Sequence, residues 1–184
     1  MTASETVTAG SAVSPVPVER VDPVDRVGPA PADVDAPAAV DIVPRPRTVV
    51  GAYLKAIAVN RPAGRDVRPD YDARVFFYCA FELVVRRRFR WDHPVAEIAV
   101  AVAAAARRHA PVVVPAIEAE MLIRDALGEA VPIGEISLDA IVSTHLLVFA
   151  SLVDELALSD DEVDALIVEA EDRAEALGHP SALR

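Results

Sequence analysis

Eight of the fifteen prolines of this 184-residue chain fall before residue 48, at positions 15, 17, 23, 29, 31, 37, 44 and 46, in a stretch with no aromatic residue and no leucine. Each of them removes a backbone donor and pushes its predecessor towards extended geometry. The valines and alanines between them are too small and scattered to offset an ordering cost of about 1–2 kcal/mol per residue. Residues 1–47 are therefore expected to form a disordered, partly polyproline-like arm, with the folded domain at residues 48–184. Pro44-Arg45-Pro46-Arg47 offers a proline-recognising groove something to bind, and an extension with no partner is the plainer reading.

After Thr48 one helical pattern follows another and strand alternation is almost absent. The first helix is expected over 48–59, with Val49, Tyr53, Leu54 and Ile57 near helical spacing and Asn60, Pro62 and Gly64 as its stop. A second begins after Asp70, a suitable N-cap, and is apolar nearly all round from Val75 to Val85 before an arginine run. A third opens at His93-Pro94, with Pro94 at the first helical position, and closes on Arg107 and Arg108. Pro111 and Pro115 enclose three valines, an extended connector, and the fourth helix runs from Pro115 to Leu127, with Gly128 behind it. Ser137 caps a fifth, again apolar on most faces, that reaches about Leu158. Ser159-Asp160-Asp161-Glu162 is a capping box for a sixth, with Val163, Leu166, Ile167, Ala170, Ala174 and Leu177 on one stripe and acids elsewhere. The expected fold is all-α: a single bundle of about six helices, its core built on the second and fifth.

Several function classes drop out. A lone Cys79 supports no disulfide framework and, inside the apolar second helix, reads as a buried inert thiol. The longest uncharged helix-compatible run, 140–153, is too short to cross a bilayer, and the first 30 residues lack a signal-peptide pattern, so a cytoplasmic location is expected. The glycine-rich phosphate loops, the nucleophile elbow and paired cysteines are missing from the sequence. His93 and Glu97, spaced i and i+4, are two metal ligands at most, so neither a metal nor a cofactor is expected.

Charge is segregated along the chain. Residues 48–110 carry 11 basic and 6 acidic groups, whereas residues 111–184 carry 3 basic and 16 acidic ones, in a chain of net charge −11. Either the blocks neutralise each other within the fold, or the acidic C-terminal face meets a basic protein; such a face disfavours nucleic acid and anionic membrane. The basic block centres on Arg86, Arg87, Arg88 and Arg90, followed by Trp91. Arg86 and Arg90, one helical turn apart, could clamp a phosphate or carboxylate while Trp91 stacks, although arginines at a helix end also follow from the helix dipole. Glu82 is the carboxylate most exposed to burial effects, with Arg86 at pairing distance; His145 reads as a core histidine.

Arg87, five residues and His93 resemble the Arg-x(4–6)-His spacing of the HEPN class of small helical ribonucleases. That resemblance implies an arginine and a histidine acting on an RNA phosphate at a dimer interface. Here Arg88 replaces the polar residue usual after the arginine, and Pro94 follows the histidine. The reading preferred from the residues is a non-catalytic adaptor or regulatory module that binds another protein through the proline-rich arm or the acidic C-terminal face. The alternatives are a small ribonuclease or nucleic-acid-binding regulator using Arg87, Arg90 and His93, and a homo-oligomer or subunit of a larger assembly, the last suggested by two helices too apolar for a small monomer to cover.

Overall fold

Four short polar side chains start helices by the same device. Thr48, Asp70, Ser137 and Ser159 each accept the backbone N–H three residues on, at 2.7, 2.8, 3.3 and 3.3 Å, and so satisfy a donor that the first turn leaves free. The structure is a computed structural model whose described residues are 44–62 and 70–179; the arm up to residue 43 lies outside them. The helices are α1 Val49–Ala58, α2 Tyr71–Arg88, α3 Val95–Arg108, α4 Ala116–Ala126, α5 Leu138–Glu155 and α6 Asp160–Ala176, with a 3-10 turn at Ile133–Glu135 before α5. No strand occurs among the described residues, so the domain is all-α.

α2 lies in the middle, packed most extensively on α6 and α5 and also on α4; α1 packs on α5 and α6, and α3 on α4 and α5. Phe76, Phe77 and Phe81 of α2, Phe89 just beyond it and Phe149 of α5 are all buried. Each such ring contributes on the order of 1.5–3 kcal/mol relative to exposure, beside a larger number of buried leucines, isoleucines and valines. Cys79 is buried beside them, and burial pushes its thiol pKa up, away from nucleophile chemistry.

The structure departs from the sequence expectation at element ends. Pro94 and Pro115 are N-caps rather than first helical residues, and neither makes a side-chain cap. α5 stops at Glu155, because Ala157 takes a left-handed φ of 50° and turns the chain into the Ser159 cap of α6. Val49 and Leu177, both placed on buried stripes by their spacing, are 62% exposed, since each sits at a helix end where little packs against it.

The larger departure is in α6. Asp164 and Glu171, expected among its solvated acids, are 4% and 0% exposed. Glu171 Oε1 accepts the Arg47 and Thr48 backbone N–H groups (3.0 and 3.1 Å) and the Thr48 hydroxyl (2.8 Å), while Oε2 accepts Arg47 Nε (3.1 Å). Asp164 meets Lys55 Nζ of α1 at 2.5 Å. Arg61–Asp160, Arg88–Glu155 and Arg108–Asp154 add three more pairs between basic groups of the earlier block and acids of the later one, and Arg47, just before that block, pairs with Asp172. The charge segregation of the sequence is thus met in space by pairing across the bundle.

Candidate functional site

Phe89 decides the geometry of the arginine corner. Its buried ring ends α2 in an extended conformation and folds the chain back, so that Arg90, Trp91 and Asp92 form an exposed tip before α3. The residues selected from the sequence therefore go different ways. Arg86 Nε donates to the Ala126 carbonyl at the end of α4 (3.1 Å) and lies in an ion pair with Glu82 Oε1 (2.9 Å), acting as a tie between two helices. Arg88 pairs with Glu155 at 2.6 Å and lies over the Phe89 ring at 4.8 Å. The Arg90 guanidinium pairs with its neighbour Asp92 at 3.4 Å, and Trp91 stands 81% exposed. Arg87 is exposed with no ion pair within 4 Å among the described residues; the Glu162 carboxyl of α6 is held below the usual carboxylate range by the backbone N–H and hydroxyl of Ser159, with a smaller contribution from the charge of Arg87.

His93 is held locally at both ring nitrogens. Nδ1 accepts the Arg90 backbone N–H at 3.2 Å, Nε2 faces Glu97 at 3.0 Å, and the ring stands edge-on to Phe89. A neutral imidazole protonated on Nε2 satisfies both contacts. That arrangement braces the turn into α3 and leaves His93 engaged on its own side of the helix boundary, while Arg87 is exposed on the last turn of α2. Glu82, also singled out, bridges Arg86 and Arg173, the latter at 3.7 Å. These residues thus engage different neighbours: Arg86 meets Glu82 and the Ala126 carbonyl, Arg88 meets Glu155, Arg90 meets Asp92 and His93 meets Glu97. Among the described residues no three His, Cys, Asp or Glu side chains gather as a metal-binding group, and no helix is long and apolar enough to cross a membrane.

A second surface went unnoticed in the sequence. Among the described residues, six of the ten large apolar side chains left exposed fall between Trp91 and Ile117: Trp91, Val95, Val100, Val112, Val113 and Ile117. α3 buries Ile98, Ala101, Val102 and Ala105 against α4 and α5. Its opposite stripe, Ala96, Val100, Ala103, Ala104 and Arg107, is exposed and almost uncharged. The signal was present as a helix without a polar face, but an Ala-Val run at helical spacing reads first as core. Comparison of the chain with protein-family models, with curated proteins and with solved structures finds no match.

Proposed function

We propose that this chain is a non-catalytic interaction module of the cytoplasm that binds another protein, and that the α3 face with its flanking segments is the surface it uses. The observation that carries the reading is the concentration of exposed large apolar residues in Trp91–Ile117, on a domain whose other charged and apolar groups are largely paired or buried. Ala96, Val100, Ala103 and Ala104 present short side chains, over which a partner helix could approach closely, and Arg107 is the stripe's one charge. Such a surface fits an apolar protein segment better than a phosphate backbone. The acidic C-terminal face contributes less, because Asp154, Glu155, Asp160, Asp164 and Glu171 already have basic neighbours in the fold.

Affinity purification from the native host tests this with three proteins: the full chain, its Val100→Glu variant, and a chain starting at Pro44 so that Arg47 still reaches Glu171. A defined protein recovered with the full chain and the shortened one, and lost with Val100→Glu, is the expected result. Recovery unaffected by Val100→Glu overturns it. RNA binding that falls with salt and is lost in Arg87→Ala would instead favour the ribonuclease reading.

A further inference from the structure

We infer that α3 pairs with α3 of a second copy of this chain, the two helices antiparallel about a twofold axis at the level of Val102, with Glu97 of each copy facing Arg107 of the other. The inference rests on the α3 face being an exposed docking surface, as proposed above, and names one occupant of it. α3 turns Val100, 67% exposed, outward among the short side chains of Ala96, Ala103 and Ala104. Its charges are divided between its ends: Glu97 is the acid of the first turn, and Arg107 and Arg108 are the bases of the last. At 3.6 residues per turn Arg107 lies about 20° and Glu97 about 60° around the helix from Val100, one at the middle of the exposed stripe and the other at its edge.

Spacing makes this face complementary to itself. Glu97 and Arg107 stand five residues either side of Val102, about 7.5 Å along the axis, and Val100 and Ala104 stand two residues either side of the same point. A twofold axis there sets Val100 against the second copy's Ala104 and Glu97 against its Arg107, each contact made twice, as a closed dimer requires. Turned parallel, the same helices would set Glu97 against Glu97 and Arg107 against Arg107, so charge selects the antiparallel pair. Both groups have capacity for the contact. Arg107 is exposed and has no ion pair within 4 Å among the described residues. The Glu97 side chain is 54% exposed, and a carboxylate that meets His93 can still accept from a second donor. The alanines let the two axes approach to about 8 Å. Trp91 and Val95 lie at the start of α3 and Val112 and Val113 just beyond its end, all exposed, and antiparallel pairing brings the start of one helix to the end of the other. One helix face with its flanks is small for a specific interface, so the dimer is expected to be reversible, with a Kd of about 10–100 µM.

Sedimentation equilibrium of the purified full chain, from about 1 to 500 µM, is the test. The parent chain is expected to pass from monomer to dimer over that range, and Val100→Glu to weaken the dimer by about tenfold or more. Glu97→Arg and Arg107→Glu, each alone, place like charges at both contacts and should weaken it about tenfold. Mixed together they restore opposite charges at both contacts, so the mixture should associate as tightly as the parent. A parent chain that stays monomeric over the whole range overturns the inference. So does a dimer that these variants do not weaken, or single reversals that weaken it and do not recover on mixing. Affinity purification works well below this Kd, where the face is free, so a monomeric parent chain overturns the pairing and leaves the partner reading to its own test. A dimer with these properties supports the pairing even where no foreign protein is recovered.

Discussion

α3 and α6 are both surface helices with one buried stripe, and they finish their outer faces in opposite ways. α6 carries Asp161, Glu162, Glu169, Asp172 and Glu175 outward, and its first turn is closed by a complete capping box. α3 turns alanines and Val100 outward, and its N-cap is a proline that makes no side-chain bond. α6 also reaches inward with two acids that fasten α1, whereas α3 sends only apolar groups into the core. A helix whose outer face is charged and whose buried acids are paired is explained by water and by the fold of its own chain. One whose outer face is apolar is left with surface that water solvates poorly, and that difference points to α3 as the place where something else binds.

The strongest way to break the comparison is to remove what α6 contributes inward. Glu171→Ala leaves the Thr48 N–H and hydroxyl buried without their acceptor and releases Arg47, so unfolding in urea should show a loss of about 3 kcal/mol. Gly51→Ala attacks the same place from α1: a Cβ there would lie 2.5 Å from Glu171 Oε1 and 3.1 Å from Ile167 Cγ2. It should cost about 2 kcal/mol alone and clearly less in the Glu171→Ala background, where the carboxylate it displaces is gone. Additive losses would show that Glu171 does not fasten α1 through this contact.

Much of this was legible in the sequence, and the reason it was is local. Caps at Asp70, Ser137 and Ser159 and the apolar stripes are decided within a turn or two of the chain, so the helices and the all-α class followed from pattern alone. Glu171 was not legible as a buried group, although it stands in register with Asp164, Ile167 and Ala174 on one helical stripe; residue type argued for solvent, and only the meeting with Thr48, more than a hundred residues away, reverses that. The arginine corner was less legible for a related reason. Spacing puts Arg87 near His93 along the chain, but the buried Phe89 between them sets the direction of the turn, and that depends on the packed core.

α5 packs on both α1 and α3, so its buried histidine reports on both sides of the molecule. With a folded pKa of about 4 against an ordinary value of 6.5, His145 is neutral in both states above pH 6.5, and its contribution there is complete. As pH falls below 6.5 the unfolded chain takes up a proton that the folded chain refuses, and stability declines until about pH 4. Between pH 7.5 and pH 5 the decline due to this group should be about 2 kcal/mol. His109, whose pKa is also lowered, by burial and by Arg108, titrates in the same direction. Urea unfolding of the parent chain and of His145→Leu at the two pH values isolates the His145 part. Equal pH dependence in the two proteins would mean that burial does not hold this histidine neutral.

A smaller effect is expected at the α6 cap. Ser159→Ala removes the acceptor of the Glu162 N–H and the hydroxyl that meets Glu162 Oε2 at 2.7 Å, for a loss of about 1 kcal/mol in thermal or urea unfolding. With its hydroxyl partner gone, the Glu162 carboxyl should titrate nearer to its ordinary range, a change that side-chain carbon shifts can follow.

The smallest effect on stability belongs to α3, and it sharpens the comparison most. Val100 is 67% exposed and opposite the buried stripe, so Val100→Glu removes little packing and adds a charge that water solvates. Stability should change by no more than about 0.5 kcal/mol. Replacing Val163, the fully buried residue that opens the stripe of α6, with Glu should instead prevent folding, because a carboxylate would be forced into the core. The contrast between these two valines separates surface that the fold needs from surface that it leaves over. If Val100→Glu proved as damaging as a core substitution, the α3 face would be completing this chain's own structure, and the partner reading would lose its support. A neutral effect on folding joined to loss of the recovered partner would assign that face to binding.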